Sequence, residues 1–341
     1  MTDSSMPSRR QALAAAGAFT LLLTGCAHTR VPAGPVRIAH AQGETVLPAL
    51  PRRVAVFDLA ALDILQAIGV DAVGVPGARF PDYLSAFAAD KYPRIGTLFE
   101  PDYVAVRATR PDLIIVAGRS ASKLAELNKI APTIDLSTST QTFIASVVQN
   151  ILLLGRLFDR QAQAAAKSEQ LLASVRQLHA KSAKAGKGLL LFAVGSGLNP
   201  QPAQTRFGIL YELVGITPAI TAADLPAPQP RQPAAAAGTP EAAAADATRA
   251  RAAQAQAARL AQLLAQKNPD WLFVLDRPAA TGGEPIAPKL LAANAAVAKT
   301  TAGQKQQIIL LDAPTWYLVG GGVTALENSI AAISAAFDGK R

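Results

Sequence analysis

Cysteine is all but missing from this 341-residue chain, with Cys26 the only one. The body that follows it therefore has no disulfide framework, no cysteine-built metal site and no thiol nucleophile. Histidine is nearly as rare: His28, His40 and His179 are the full complement. That disfavours a zinc or manganese site, which wants clustered histidines and carboxylates. Aromatic residues make up 5% of the sequence while alanine abounds, a balance that points to helix-rich α/β architecture and away from an all-β sandwich. After Cys26 no apolar run reaches the roughly 20 residues a membrane span needs. Marks of catalysis are lacking as well. Gly195-Ser196-Gly197 does not have the spacing of a nucleophile elbow. Gly320-Gly321-Gly322 fits no phosphate loop, and no dinucleotide fingerprint occurs. The chain is therefore not expected to be an enzyme or to hold a cofactor. Its net charge of +9 favours anionic partners. No basic run with interleaved aromatics accompanies that charge, so a small anion or an anionic lipid surface fits better than nucleic acid.

The amino end is read as an address rather than as structure. Ser8-Arg9-Arg10-Gln11-Ala12-Leu13 resembles a twin-arginine export signal and departs from it at Ala12 and Ala14. An uncharged stretch from Ala12 to Leu23 leads into Leu23-Thr24-Gly25-Cys26, which resembles a lipobox. In that motif the cysteine is lipidated and becomes the new amino terminus. The expectation is a signal peptide over 1–25, a lipid on Cys26, a tether over 26–35 and a periplasmic body held at a membrane by its lipid anchor.

The remaining length exceeds what one core usually serves, so two lobes are expected. Alternating strand and helix signals predict an α/β fold of two Rossmann-like lobes with parallel sheets, over 36–141 and 186–341. Strands are expected at Val54–Phe57, Val73–Val75, Leu113–Ala117 and Thr133–Leu136, then at Leu189–Val194, Trp271–Leu275 and Ile308–Leu311. Helices are expected at Ala60–Ile68, Ala121–Ile130, Ile209–Val214 and Val323–Phe337. The segment 142–185 has no proline, is dominated by Ala, Gln, Leu and Lys from Asp159 onward, and predicts one long helix joining the lobes. A low-complexity insertion runs over about 222–258, helical from Thr248, and carries Arg231, Arg249 and Arg251. The halves look like a weak duplication: Asp63 to Val70 is similar to Gly208 to Ile216.

Three arginines stand just past apolar runs. Arg119 and Arg277 close matching Pro-Asp-apolar patterns that begin at Pro111 and Pro269. Arg206 lies in Thr205-Arg206-Phe207-Gly208, beyond the strand from Leu189. The duplication puts Arg119 and Arg277 at the carboxyl ends of equivalent strands, where open α/β sheets bind ligands. A guanidinium is always charged and carries five donors in a fixed fork. Three in one cleft would suit a compact polyanion. Each alone reads as a surface ion-pair partner worth about 0–1 kcal/mol.

Several segments together resemble the periplasmic siderophore-binding proteins of the ferric-catecholate (enterobactin-like) type. These are Ile95 to Asp102, Pro111 to Arg119, Arg206-Phe207-Gly208, Asn268 to Arg277, and Leu311-Asp312 with Trp316-Tyr317-Leu318. The resemblance implies a class III binding protein with its ligand cleft between two lobes. It also implies a monomer that passes a ferric siderophore to an ABC permease. It carries the family's basic triad onto Arg119, Arg206 and Arg277 and its cleft tyrosine onto Tyr317, with Trp316 as possible cleft lining. Tyr317 is left with three roles: donor to a catecholate oxygen, iron ligand as phenolate, or core aromatic beside Trp316. No other direct metal ligand is expected. Haem, cobalamin or a hydroxamate siderophore are the alternative ligands, and siderophore processing the remoter one.

Two departures from the family carry information. Relatives that ligate iron directly use a histidine in the second lobe, and none of the three histidines lies there. A coordinatively saturated, hexadentate triscatecholate is therefore expected over a tetradentate ligand. The family's two permease-docking glutamates fall on Val104 and Gln262. Glu100, Asp102 and Glu212 remain as possible substitutes.

Overall fold

The computed structural model describes residues 34–227 and 240–339. The expected export signal, Cys26 and most of the expected tether lie outside the described residues, as do Arg231 and the side chain of Arg249. Residues from Pro35 onward form one compact unit.

Its elements run β1 (Val36–His40), β2 (Gly43–Leu47), β3 (Val54–Val56), α1 (Leu59–Ala67), α2 (Tyr103–Ala108), β4 (Leu113–Val116), α3 (Leu124–Leu127) and β5 (Thr133–Asp135). Next come α4 (Phe143–Leu157), α5 (Gln161–Ser182), β6 (Lys187–Val194), β7 (Gly197–Gln201), α6 (Ile209–Val214), β8 (Thr217–Pro218) and α7 (Pro240–Lys267). The chain finishes with β9 (Trp271–Asp276), four short helices α8 (Arg277–Ala280), α9 (Ala287–Ala292), α10 (Ala295–Lys299) and α11 (Thr301–Gln304), then β10 (Ile308–Leu310) and α12 (Val323–Asp338).

Strands β3, β4 and β5 form a parallel sheet in that order. Every residue of the three is buried, as expected where both faces of a parallel sheet are covered. The β1–β2 hairpin closes the β5 edge, with Ala41 N–H donating to Asp135 O and Thr45 Oγ1 to Thr133 O. That protects the edge from pairing elsewhere. The second sheet runs β10-β9-β6-β7, with β8 beside the start of β6. It is parallel except for β7, which turns back on β6 through Gly195 at φ +61°.

Three expectations need correction. Val73–Val75 makes only isolated bridges, Ala55 to Gly74 and Val75 to Arg94. Ala121–Ile130 is not one helix but a 3₁₀ turn followed by α3. The 142–185 segment is two helices rather than one. They break at Asp159, held at φ +56°, and fold against each other where Gly155 meets Ala164. A Cβ on Gly155 would come within 2.3 Å of the Ala164 Cβ, so only glycine admits that approach.

One apolar core runs across the seam between the sheets. It joins Val54, Leu62 and Ile115 with α4, α5, Phe273, Val323 and Ile330. Two carboxylates tie the same seam. Asp63 on α1 accepts from Ala325 N–H at 3.0 Å, at the start of α12. Glu212 on α6 accepts from Phe143 and Ile144 N–H at 2.8 and 3.0 Å, at the start of α4. Neither helix has a capping side chain of its own, Gly322 and Thr142 standing at the cap positions. Each carboxylate thus satisfies otherwise orphaned donors of a helix from another part of the chain.

Candidate functional site

The site forms where strands of both sheets end. Arg119 follows β4 after Gly118, whose φ of +45° turns the chain sharply off the strand. Arg277 follows β9 directly, its helix capped by Asp276. Arg206 sits in the loop between β7 and α6. Tyr317 lies in a π-helical turn, Thr315–Val319, that ends at Gly320 with φ +70°.

All three guanidinium groups converge on Tyr317. Arg119 Nη2 donates to the Tyr317 main-chain oxygen, and its Nη1 to Leu318 O at 3.3 Å. Arg206 Nη2 donates to the same Tyr317 oxygen at 2.8 Å. Arg277 Nε reaches the Tyr317 hydroxyl oxygen at 3.4 Å. The ring adds its face, with the guanidinium carbons of Arg119 and Arg206 at 5.3 and 5.0 Å from its centroid. Aromatics extend the array in both directions: Phe99 lies 5.8 Å from Arg119, Phe207 lies 4.8 Å from Arg206, and Phe192 stacks 6.1 Å from Tyr317.

Among the described residues, no carboxylate lies within ion-pair distance of any of the three arginines. Desolvation, and then the charge of Arg206, push the Arg119 pKa below its ordinary value. A guanidinium stays charged regardless. For Tyr317, desolvation raises the pKa. The hydrogen bond and charge of Arg277, with the charges of Arg206 and Arg119, outweigh it and bring the phenol below its ordinary value. Asp58 borders the site too, but its carboxylate caps α1 by accepting from Ala61 N–H at 2.9 Å.

A cavity of about 470 Å³ opens beside this array, lined by Arg119, Arg206, Trp316 and Tyr317 with the hydroxyls of Thr138 and Thr140. Arg277 does not line it and stands exposed at the Tyr317 hydroxyl. Chemically the site offers cations without ion-pair partners, of which Arg119 feels the nearby charge of Asp58, together with π faces and a few hydroxyls, a composition for holding an anion. Among the described residues, no group of three or more His, Asp or Glu could hold a metal ion. His179 is engaged elsewhere, its Nε2 lying 2.9 Å from Glu212 O.

Sequence reasoning missed the part played by the Tyr317 main-chain oxygen, which no side-chain pattern signals. It also missed Phe99, although Thr97-Leu98-Phe99-Glu100 was among the segments singled out. The expected docking positions Val104 and Gln262 are both exposed. Two suggested substitutes are occupied: Glu212 caps α4, and Asp102 accepts from Val104 and Ala105 N–H. Glu100 pairs with Lys123 at 2.8 Å.

Residues 54–315 match the sequence profile of a periplasmic binding protein. The chain belongs to that family. It is 33% identical over 178 residues to the petrobactin-binding protein YclQ of Bacillus subtilis, spanning 51% of this chain and 56% of that protein. It is 26% identical over 249 residues to the ferric-anguibactin-binding protein FatB of Vibrio anguillarum, covering 71% of this chain and 69% of that one. The crystal structure of the periplasmic catecholate-siderophore binding protein VctP from Vibrio cholerae superposes with a TM-score of 0.72. It is 29% identical and is matched over 88% of this chain and 99% of its own. These relatives are binding proteins, not enzymes, and the structure of VctP shares the mixed α/β architecture. Among the described residues, no helix is long and apolar enough to cross a membrane.

Proposed function

We propose that this binding protein captures a ferric siderophore at Tyr317 and hands it to an ABC permease for iron uptake. The observation that carries the reading is the meeting of Arg119, Arg206 and Arg277 on one tyrosine without a carboxylate partner. Like charges brought together in a part-desolvated place repel, and such a cluster is sensible chiefly where an anion completes it. The relatives' ligands, petrobactin, ferric anguibactin and a catecholate siderophore, agree in kind.

The preferred ligand, in this reading, is a hexadentate ferric triscatecholate. Three catecholates bring six phenolate charges to Fe³⁺ and leave a trianion, which three guanidiniums match. Charge-assisted hydrogen bonds to its oxygens are about twice as strong as neutral ones. A neutral hydroxamate complex does not call for three cations, and haem offers only two carboxylates. Tyr317 is the one phenol at the site and the Asp58 carboxylate is engaged in capping α1, so a tetradentate ligand with two open iron positions would be left short. The reading predicts at least tenfold tighter binding of ferric triscatecholate than of a ferric tetradentate biscatecholate, measured by quenching of Trp316 emission. Equal or tighter biscatecholate binding contradicts it. The resemblance of Leu23-Thr24-Gly25-Cys26 to a lipobox supports a lipid on Cys26 that holds the protein at a membrane; mass spectrometry of the purified protein should then find acyl chains on Cys26, and an unmodified Cys26 contradicts it.

A further inference from the structure

Among the described residues, Phe99 is the one aromatic side chain left exposed, at 55%. Its placement is not slack in the fold. The loop that carries it starts at Gly96, held at φ +116°, where a Cβ would fall 2.4 Å from Glu100 O and 2.5 Å from Asp102 N. Thr97 Oγ1 accepts from the N–H groups of both Phe99 and Glu100, at 3.2 and 2.9 Å. Thr97 N–H donates back to Glu100 O at 2.8 Å. Lys123, just beyond Arg119 in the chain, then ties Glu100 down at 2.8 Å. The turn thus fixes the backbone on both sides of Phe99, and the ring stands away from the apolar core with Arg119 as its aromatic-binding neighbour.

The ring is also the end of a series. Phe99, Arg119, Tyr317, Arg206 and Phe207 alternate aromatic and guanidinium, with successive separations of 5.8, 5.3, 5.0 and 4.8 Å. Phe207 closes one end and is buried. Phe99 ends the other and is open; it stands outside the residues that line the cavity and reaches the site through Arg119. A flat π face at the rim of a cationic site gains nothing from a carboxylate or a phosphate, but offers offset stacking to an aryl ring.

We propose that Phe99 is a specificity-determining residue that stacks on an aryl ring of the bound anion, so that the site selects aromatic iron chelates over aliphatic ones of similar charge. This rests on the anion-binding reading of the Tyr317 site and adds to it the chemical class of the ligand's periphery. The arginines recognise charge; Phe99 recognises the ring that carries it. Phe99 and Val104 are both exposed large apolar side chains, a pairing that also suits a protein partner, and the test separates the two.

The test measures dissociation constants for ferric triscatecholate, with ferric citrate as a competing aliphatic anion, in the wild type and in Phe99→Leu, Phe99→Ala and Arg119→Ala. Leucine keeps the apolar bulk and removes the π face. Both Phe99 variants should bind the triscatecholate about three- to tenfold more weakly, in line with the worth of an aromatic pair, while ferric citrate competes at its wild-type concentration. Arg119→Ala should weaken both ligands. The assignment is overturned if Phe99→Leu binds the triscatecholate as the wild type does, or if both ligands weaken equally in the Phe99 variants. Unchanged binding in both Phe99 variants with loss in Arg119→Ala overturns the Phe99 assignment alone and leaves the ring to a protein partner. Unchanged binding in Arg119→Ala as well defeats the anion-site reading and Phe99 with it.

Discussion

Arg119 and Arg206 share one acceptor, the main-chain oxygen of Tyr317, and flank one ring. Arg119 is the more deeply set of the three, while Arg206 and Arg277 keep exposed surface. Removing a charge that is partly withdrawn from water costs more than removing one at the rim. Arg119→Ala should therefore weaken anion binding by roughly 30- to 100-fold and Arg277→Ala by about tenfold or less, read by titration at fixed salt. The phenol supplies an independent check. Its pKa lies below the ordinary value because Arg277, Arg206 and Arg119 favour the anion over the cost of desolvation. In an ultraviolet titration corrected with Tyr317→Phe, this tyrosine should ionise earlier than an ordinary one, and Arg277→Ala should move it back upward. The arginines were legible in sequence because two of them end the same Pro-Asp-apolar strand pattern. Their common acceptor was not, since a main-chain oxygen nearly two hundred residues from Arg119 leaves no trace in composition or spacing.

At the scale of elements, two helices depend on carboxylates borrowed from elsewhere. Asp63 is fully buried, and one of its oxygens has no hydrogen-bond partner. Desolvation foremost, with Glu327 adding to it against the hydrogen bonds from Thr324 and Ala325, pushes its pKa up to about 6. The unfolded value is 3.8, so the folded state holds this proton more tightly. The contribution of Asp63 is then fully present below pH 3.8 and is lost as pH rises through about 6. The loss is on the order of 3 kcal/mol. Asp63→Asn, which keeps an oxygen for Ala325 N–H, should flatten this part of the pH dependence of the melting temperature. A slope identical to the wild type's would show that another group is responsible. Glu212→Ala, which uncaps α4, should cost about 1–2 kcal/mol in denaturant unfolding. Strands with an uninterrupted apolar run, such as Trp271–Leu275, and helices stopped by glycine, such as Ile209–Val214, were readable from sequence almost to the residue. The break between α4 and α5 was not. No proline or glycine stands at the break, which is made by Asp159 at φ +56° with Gly155 packed closely on Ala164. The β7 hairpin is not evident in the sequence, because Gly195-Ser196-Gly197 does not by itself set a turn apart from a loop.

For the whole molecule, one apolar core crosses from one sheet to the other. The structure already gathers the three guanidinium groups on Tyr317, with the charge of Arg206 acting against that of Arg119. Preorganisation of that kind reduces the ordering cost of binding. The α/β plan followed from alternating patterns and a weak duplication. The shared core did not, because sequence shows which faces are apolar and not which of them meet. The most direct test is titration of purified wild type and the Arg119→Ala/Arg206→Ala/Arg277→Ala triple variant with ferric triscatecholate, followed through tryptophan emission. The wild type should show saturable one-to-one quenching, and the triple variant, still folded by circular dichroism, should bind at least 1000-fold more weakly, about 4 kcal/mol. Equal binding by the two proteins, or none by the wild type, would contradict the account.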